Sequence, residues 1–180
     1  MSVHEELFRP WGTVTPAFWG APELPTTQRA ESQSSIPNEL KGPLVEIAAT
    51  AAAGQLPEAA WMAYELDSEV TTTHGPDHLN TVHIREVRAH LAHLAGDHAT
   101  AFGWYLHTAR LRATIQGAGH PDTAEATKRV YSLWRSVPEA DSVRLGSELL
   151  AAVTDIHGPE APVTRRTRKR MQSLSAPQIA

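Results

Sequence analysis

Four polar residues at helical spacing, His83, Glu86, His90 and His93, form the part of the sequence best suited to chemistry. His90 and His93 would lie one turn apart on a helix, with Glu86 one turn before His90. Such imidazole and carboxylate groups can bind zinc. However, the sequence has no His-Glu-x-x-His motif, no second cluster with regular spacing and no cysteine, so we predict no metal site. A pH-responsive binding surface is a second interpretation, and untuned polar residues that face solvent or a partner are the third.

Sequence motifs of the common enzyme classes are absent. The chain has neither a Gly-x-Ser-x-Gly nucleophile elbow nor a Gly-x-x-x-x-Gly-Lys-Ser/Thr phosphate-binding loop. We therefore predict a protein without catalytic activity and without a cofactor.

A helix over residues 78–95 must position the four polar residues. Its apolar residues Ile84, Val87, Leu91 and Leu94 gather in one stripe at helical spacing, and the four polar residues form a second stripe beside it. The apolar stripe predicts burial against other helices. The polar stripe predicts a face that is rich in imidazole.

A short stretch before this helix recurs along the chain. Gly75, His78 and Thr81 are followed 42 residues later by Gly117, His120 and Thr123, and a fainter copy at 158–164 lies a further 41 residues on. A fixed period of this size is typical of stacked repeats. In each connector we expect Gly to end one helix, Asp or Thr to begin the next, and the connector histidines to be structural.

The repeat divides the chain into predicted helices and units. The predicted helices cover 39–53, 57–72, 78–95, 98–115, 122–136, 139–156 and 163–174. The predicted divisions are an N-terminal arm at 1–37, a repeat domain at 38–162 with units at about 38–77, 78–119 and 120–160, and a basic capping helix and tail at 163–180. The predicted fold class is all-α.

The second unit resembles a tetratricopeptide repeat. It turns at Gly96-Asp97, places the small Ala101 five residues after the glycine, and has the aromatic Tyr105 four residues later. The first unit keeps Gly54 and Ala59 but has Ala63 at the aromatic position. The third unit departs furthest from the pattern, at positions 138, 143 and 147. The 42-residue period looks like the long variant of kinesin light chains and of many actinobacterial regulatory proteins.

The resemblance covers about 38–165. It implies a right-handed α-solenoid of about three helix pairs with a C-terminal capping helix. In tetratricopeptide proteins, first-helix positions line a concave groove that holds the ligand. The positions that match in this sequence are His83, Glu86, His90, His93, Glu125, Lys128, Ser132 and Arg135. We expect an adaptor or regulator that binds another protein or peptide there. The alternative is a sensor that binds a small peptide or metabolite and signals to a transcriptional regulator.

Composition and charge limit the remaining classes. Hydrophobic residues make up 41% of the chain, and there is no apolar run long enough to span a membrane. Without cysteines or an apolar signal segment near the start, we expect a cytoplasmic protein. Residues 161–180 hold five basic residues and no acidic one, which gives this segment a charge of +5. Because the whole chain has a net charge of −4, the other residues carry −9.

The basic tail consists of Arg165, Arg166, Arg168, Lys169 and Arg170. It could contact phosphates, fold back on the acidic body or bind an acidic partner. A nucleic-acid-associated factor is therefore a further alternative, although an acidic body is not typical of one.

The N-terminal arm combines five prolines with the aromatic residues Phe8, Trp11, Phe18 and Trp19. It could pack as a cap on the first helices, dock on another protein as a short motif, or be disordered. Apolar faces of the terminal repeats would also allow a homodimer.

Overall fold

Seven α-helices, and no β-strand, make up residues 38–175, which are the residues that the computed structural model describes. The helices are α1 (Asn38–Ala52), α2 (Leu56–His74), α3 (Leu79–Leu94), α4 (His98–Gln116), α5 (Pro121–Trp134), α6 (Glu139–His157) and α7 (Pro162–Ser175). Each begins and ends within two residues of its predicted position, so the all-α class is confirmed for this part of the chain. The predicted N-terminal arm and the end of the tail lie outside the described residues.

The connector glycines end their helices in a backbone conformation that other residues rarely adopt. Gly75 follows α2 at φ 89° and ψ 165°, and its amide donates to the carbonyl of Thr71. Gly117 and Gly158 end α4 and α6 in the same way. Because a side chain clashes with the backbone in this region, glycine is the residue that can stop the helix there.

The helices after the first two connectors, α3 and α5, are capped by histidine, whereas Asp or Thr was expected to begin them. The Nδ1 atoms of His78 and His120 accept hydrogen bonds from the amides two residues later, at 3.1 and 3.2 Å. An unprotonated imidazole nitrogen can accept in this way, so it replaces the usual capping oxygen. The hydroxyl of Thr81 instead donates to the carbonyl of Gly75 at 2.7 Å, which ties α3 back to the end of α2. The connector histidines are thus structural, as predicted.

Helix α3 lies between two hydrophobic clusters. Helices that follow one another in the chain pack together, and α4 also contacts α6. Ile84, Val87 and Leu91 of α3 join α1 and α2 in the first cluster. Ala89 of α3 joins α4, α5 and α6 in the second. Because both of its sides are covered, α3 has more buried residues than the other described helices.

A glycine allows α5, α6 and α7 to approach closely. Trp134 of α5 is fully buried, and its indole Nε1–H donates to the carbonyl of Ser142 at 2.7 Å. Gly146 of α6 faces this ring, and Met171 of α7 packs against the same cluster. A Cβ at position 146 would come within 2.6 Å of the indole Cζ2 and closer still to the Met171 sulfur.

We predict that Gly146→Ala lowers the free energy of unfolding by about 1–3 kcal/mol, because the new methyl group overpacks the core. Gly103→Ala is the matched control, since Gly103 is exposed in α4 and a Cβ there would contact nothing within 4 Å. It should stabilise the protein by about 0.5–1 kcal/mol through helix propensity. Urea denaturation of both variants measures these changes, and equal effects would contradict the packing argument.

Candidate interaction surface

The four polar residues predicted on α3 differ in their exposure. Glu86 and His90 are buried, with 3% and 1% of their surface exposed. His83 and His93 are partly exposed. The expectation that all four would be open to a partner therefore fails for Glu86 and His90.

Glu86 is buried because its charge is paired inside the protein. Its two carboxylate oxygens accept hydrogen bonds from Nε and Nη2 of Arg112 on α4, at 2.7 and 2.9 Å. Both side chains are less than 10% exposed. A bidentate pair of a planar guanidinium and a carboxylate is among the strongest polar contacts in proteins, and it fixes α3 against α4.

Two charged residues of α5 contact the Glu86–Arg112 ion pair. Arg129 of α5 places Nη1 at 3.8 Å from Glu86 Oε1. Asp122 at the start of α5 lies 3.4 Å from Nη1 of Arg112, and Gln116 donates to Asp122 at 3.1 Å. We call these five residues, Glu86, Arg112, Gln116, Asp122 and Arg129, the buried ion network. It joins three consecutive helices.

The buried ion network changes the acidity of Glu86. Burial by itself raises the pKa of a carboxyl group. Here the hydrogen bonds and charge of Arg112, with smaller contributions from Arg129 and His83, outweigh burial and leave the pKa of Glu86 below its ordinary value. Glu86 is therefore an ionised structural anchor at neutral pH.

The four matching residues of the third unit lie at the surface of α5 and at its C-terminal end. Glu125, Lys128 and Arg135 are exposed and Ser132 is partly exposed. Lys128 Nζ lies 3.5 Å from Glu125 Oε2, a weak contact between exposed groups. Arg129, which the repeat pattern did not single out, lies beside them and reaches across to Glu86 of α3.

A second charged cluster, also missed, joins α2 to α3. The carboxylate of buried Asp67 accepts hydrogen bonds from Arg85 Nε at 3.3 Å and from Arg88 Nη1. Asp67 continues the buried stripe of Ala59, Ala63 and Val70 on α2. A charge inside an apolar helical stripe is the signal that could have revealed it.

Aromatic rings and a histidine surround the two arginines. The Arg88 guanidinium lies 4.3 Å from the centre of the Trp104 ring and 5.4 Å from that of Tyr64, within cation–π distance. Nη1 of Arg85 lies 2.9 Å from Nε2 of His107. Because arginine can only donate, this nitrogen of His107 must be the unprotonated acceptor. Burial, and then the charge of Arg85, lower the pKa of His107.

His157 at the end of α6 is held by a hydrogen bond to Thr127 of α5. Thr127 donates its hydroxyl proton to the carbonyl of Thr123 at 2.9 Å, so it can only accept from Nε2 of His157, also at 2.9 Å. Burial lowers the pKa of His157.

The predicted basic tail residues lie on α7 and are not equivalent. Arg165, Arg166 and Lys169 are exposed. Arg168 donates to the carbonyl of Pro159 at 3.2 Å, and Arg170 lies 5.4 Å from the centre of the Trp134 ring. The first three can therefore meet a partner, whereas Arg168 and Arg170 hold α7 against the rest of the protein.

Comparison with known proteins does not assign a family. No family model matches the sequence, and no curated protein matches it. Among the residues that the structure describes, no three His, Asp or Glu side chains come together as a metal site. None of the helices between positions 38 and 175 has the length and apolarity needed to cross a membrane.

We predict that Glu86→Ala lowers the free energy of unfolding by about 3–5 kcal/mol, because Arg112 would lose its bidentate partner and keep only the longer contact with Asp122. The double variant Glu86→Leu/Arg112→Met removes both charges and should recover most of this loss. Glu148→Ala, which breaks the exposed pair with Arg144, is the control and should have little effect. Urea denaturation distinguishes the cases, and a double variant as unstable as Glu86→Ala would contradict the argument.

The lowered histidine pKa values predict a loss of stability in mild acid. The ordinary histidine pKa is about 6.5. As the pH falls below this value, His107 and His157 become protonated in the unfolded chain but stay largely unprotonated in the folded protein, so acid favours unfolding. The effect ends once the pH falls through the lower pKa values of the folded protein. His107→Gln/His157→Gln should flatten the dependence of the urea midpoint on pH between about pH 7 and pH 5. An unchanged dependence would contradict the assignment.

Proposed function

We propose that this protein is a non-catalytic interaction module, an adaptor or regulator built from stacked helix pairs similar to tetratricopeptide repeats. In this proposal a segment of another protein binds across α3 and α5, the first helices of the second and third pairs. The concave groove implied by the resemblance is the proposed position of that segment.

The recurrence of the connectors supports the repeat arrangement. Gly75, Gly117 and Gly158 recur at intervals of 42 and 41 residues and share a positive φ near 90°. His78 and His120 cap the following helices with the same atom. The matching local structure at matching sequence intervals is what repeated units of one ancestral helix pair would produce.

The buried ion network is the observation that carries the binding proposal. It joins α3, α4 and α5 through charge-assisted hydrogen bonds and an ion pair, which restrict how the helices that carry the polar side chains can shift against each other. A surface on rigid helices binds without first ordering itself, which lowers the entropic cost of association.

The chemistry of the surface suits a polar segment. Lys128 on α5 and Arg135 directly after it are exposed, as is Glu125, and Ser132 is partly exposed. Hydrogen-bond donors and both signs of charge are therefore available within one helix face. Extended or helical segments with complementary charges are the usual ligands of such surfaces.

We predict that Lys128→Ala/Arg135→Ala weakens capture of the native partner at least about tenfold, because two cationic contacts are removed. The full-length tagged protein would be cross-linked in its source cells and quantified by mass spectrometry. Arg144→Ala/Glu148→Ala on α6 is the control, since it removes the same number of exposed charged side chains outside the proposed surface. Circular dichroism verifies that both variants remain folded. Equal recovery of every captured protein from both variants would refute the proposal that this surface binds a partner.

A further inference from the structure

Charge is separated between the two ends of the described helices. Helices α1 and α2 together carry six carboxylates and one lysine, whereas α7 carries five basic residues and no acidic one. One of the six carboxylates, Asp67, is already paired with arginines of α3. The three others on α2, Glu58, Glu65 and Glu69, are exposed and give this helix an acidic surface.

The exposed side of α2 combines acid with aromatic rings. Trp61 is 59% exposed and Tyr64 is 48% exposed, and their rings stack with centres 5.5 Å apart. Glu65 and Glu69, one helical turn apart, are exposed on the same side. We call these four residues the acidic-aromatic face. Large exposed aromatic residues are enriched at the centres of protein interfaces.

A cleft of about 530 Å³ between α1 and α2 borders this face. Pro43, Met62 and Leu66 supply its apolar lining, and Glu65 and Glu69 lie at its edge. The long apolar stem of arginine or lysine could lie on such a lining while its cationic end reaches a carboxylate. The cleft therefore suits a long basic side chain.

Helix α7 presents a matching basic face made of Arg165, Arg166 and Lys169. All three are exposed, and they form no ion pair within residues 38–175. The opposite side of α7 is anchored, since Thr164 and Thr167 are fully buried. The basic face is thus held in a fixed orientation.

We propose that the basic face of α7 binds the acidic-aromatic face of α2 in a second copy of this chain. Arg165 and Lys169 are four residues apart, as are Glu65 and Glu69, so both pairs have the spacing of one helical turn. Arg166 can lie over the ring of Trp61. The protein already uses this kind of contact where Arg88 lies 4.3 Å from the centre of the Trp104 ring.

The contact must be between molecules. Within the described residues α7 packs against α6, and α2 packs against α1 and α3, so the two faces belong to opposite ends of the series of packed helices. Each copy carries both faces. Two copies related by a twofold axis would form both contacts at once, which closes the assembly as a dimer. The surface is separate from Lys128 and Arg135, so this inference does not depend on the proposed function.

Charge exchange between two variants of the full-length protein tests the proposal. Analytical ultracentrifugation should show a dimer of the native protein at about 0.05 M salt and dissociation at about 0.5 M salt, because exposed charges are screened. Glu65→Lys/Glu69→Lys and Arg165→Glu/Lys169→Glu should each raise the dissociation constant at least about tenfold. Mixing the two variants should restore association, since every contact again joins opposite charges.

Arg110→Glu/Arg144→Glu is the matched control. It changes the net charge as much as Arg165→Glu/Lys169→Glu but at exposed sites outside both faces, and it should associate as the native protein does. A monomer at low salt would overturn the proposal, as would a mixture that fails to restore association. A native monomer that binds single-stranded oligonucleotides through α7 would also overturn it and assign the basic face to phosphates.

Discussion

The arrangement of the central helices depends on one buried ion pair, between Glu86 of α3 and Arg112 of α4. Two charges of opposite sign leave water together, so each is tolerated inside only while the other is in place. Their bidentate geometry restricts how α3 and α4 can shift against each other. Arg129 and Asp122 of α5 contact this ion pair, so the pair also constrains the position of α5. An apolar contact of the same area would permit sliding that this pair opposes.

The charged cluster around Asp67 and the buried ion network around Glu86 are built in the same way. Asp67 of α2 and Glu86 of α3 are both buried, and each binds two arginines from other helices, Asp67 from α3 and Glu86 from α4 and α5. Non-directional apolar packing fills the space between helices, and the directional ion pairs select one register. The result is a set of helices whose outer polar residues are held in place by contacts beneath them. This is the property that a recognition surface requires.

The all-α class and the positions of the helices in residues 38–175 were predictable from the sequence, because the features that determine them are local. Gly75 stops α2 at a positive φ, as expected, whereas the start of α3 was expected at Asp or Thr and is capped by the ring of His78, which accepts a hydrogen bond from the amide two residues later. The stripe of Ile84, Val87 and Leu91 was also recognisable, and all three residues are buried. Each of these features is encoded within a few consecutive residues. The candidate surface was predicted only in part, because exposure depends on residues far along the chain.

By itself, the sequence determined the helices, their ends and the interval at which the connectors recur, since capping, helical periodicity and glycine conformation act over a few residues. The tertiary structure decided which polar residues face solvent and which anchor the interior. Glu86 and Lys128 occupy matching positions of two units, yet Glu86 is buried and Lys128 is exposed. The difference arises because Arg112, 26 residues after Glu86, meets it from another helix. A charged side chain is buried only where a side chain of opposite charge from another helix contacts it, and the packing of the helices decides where that occurs.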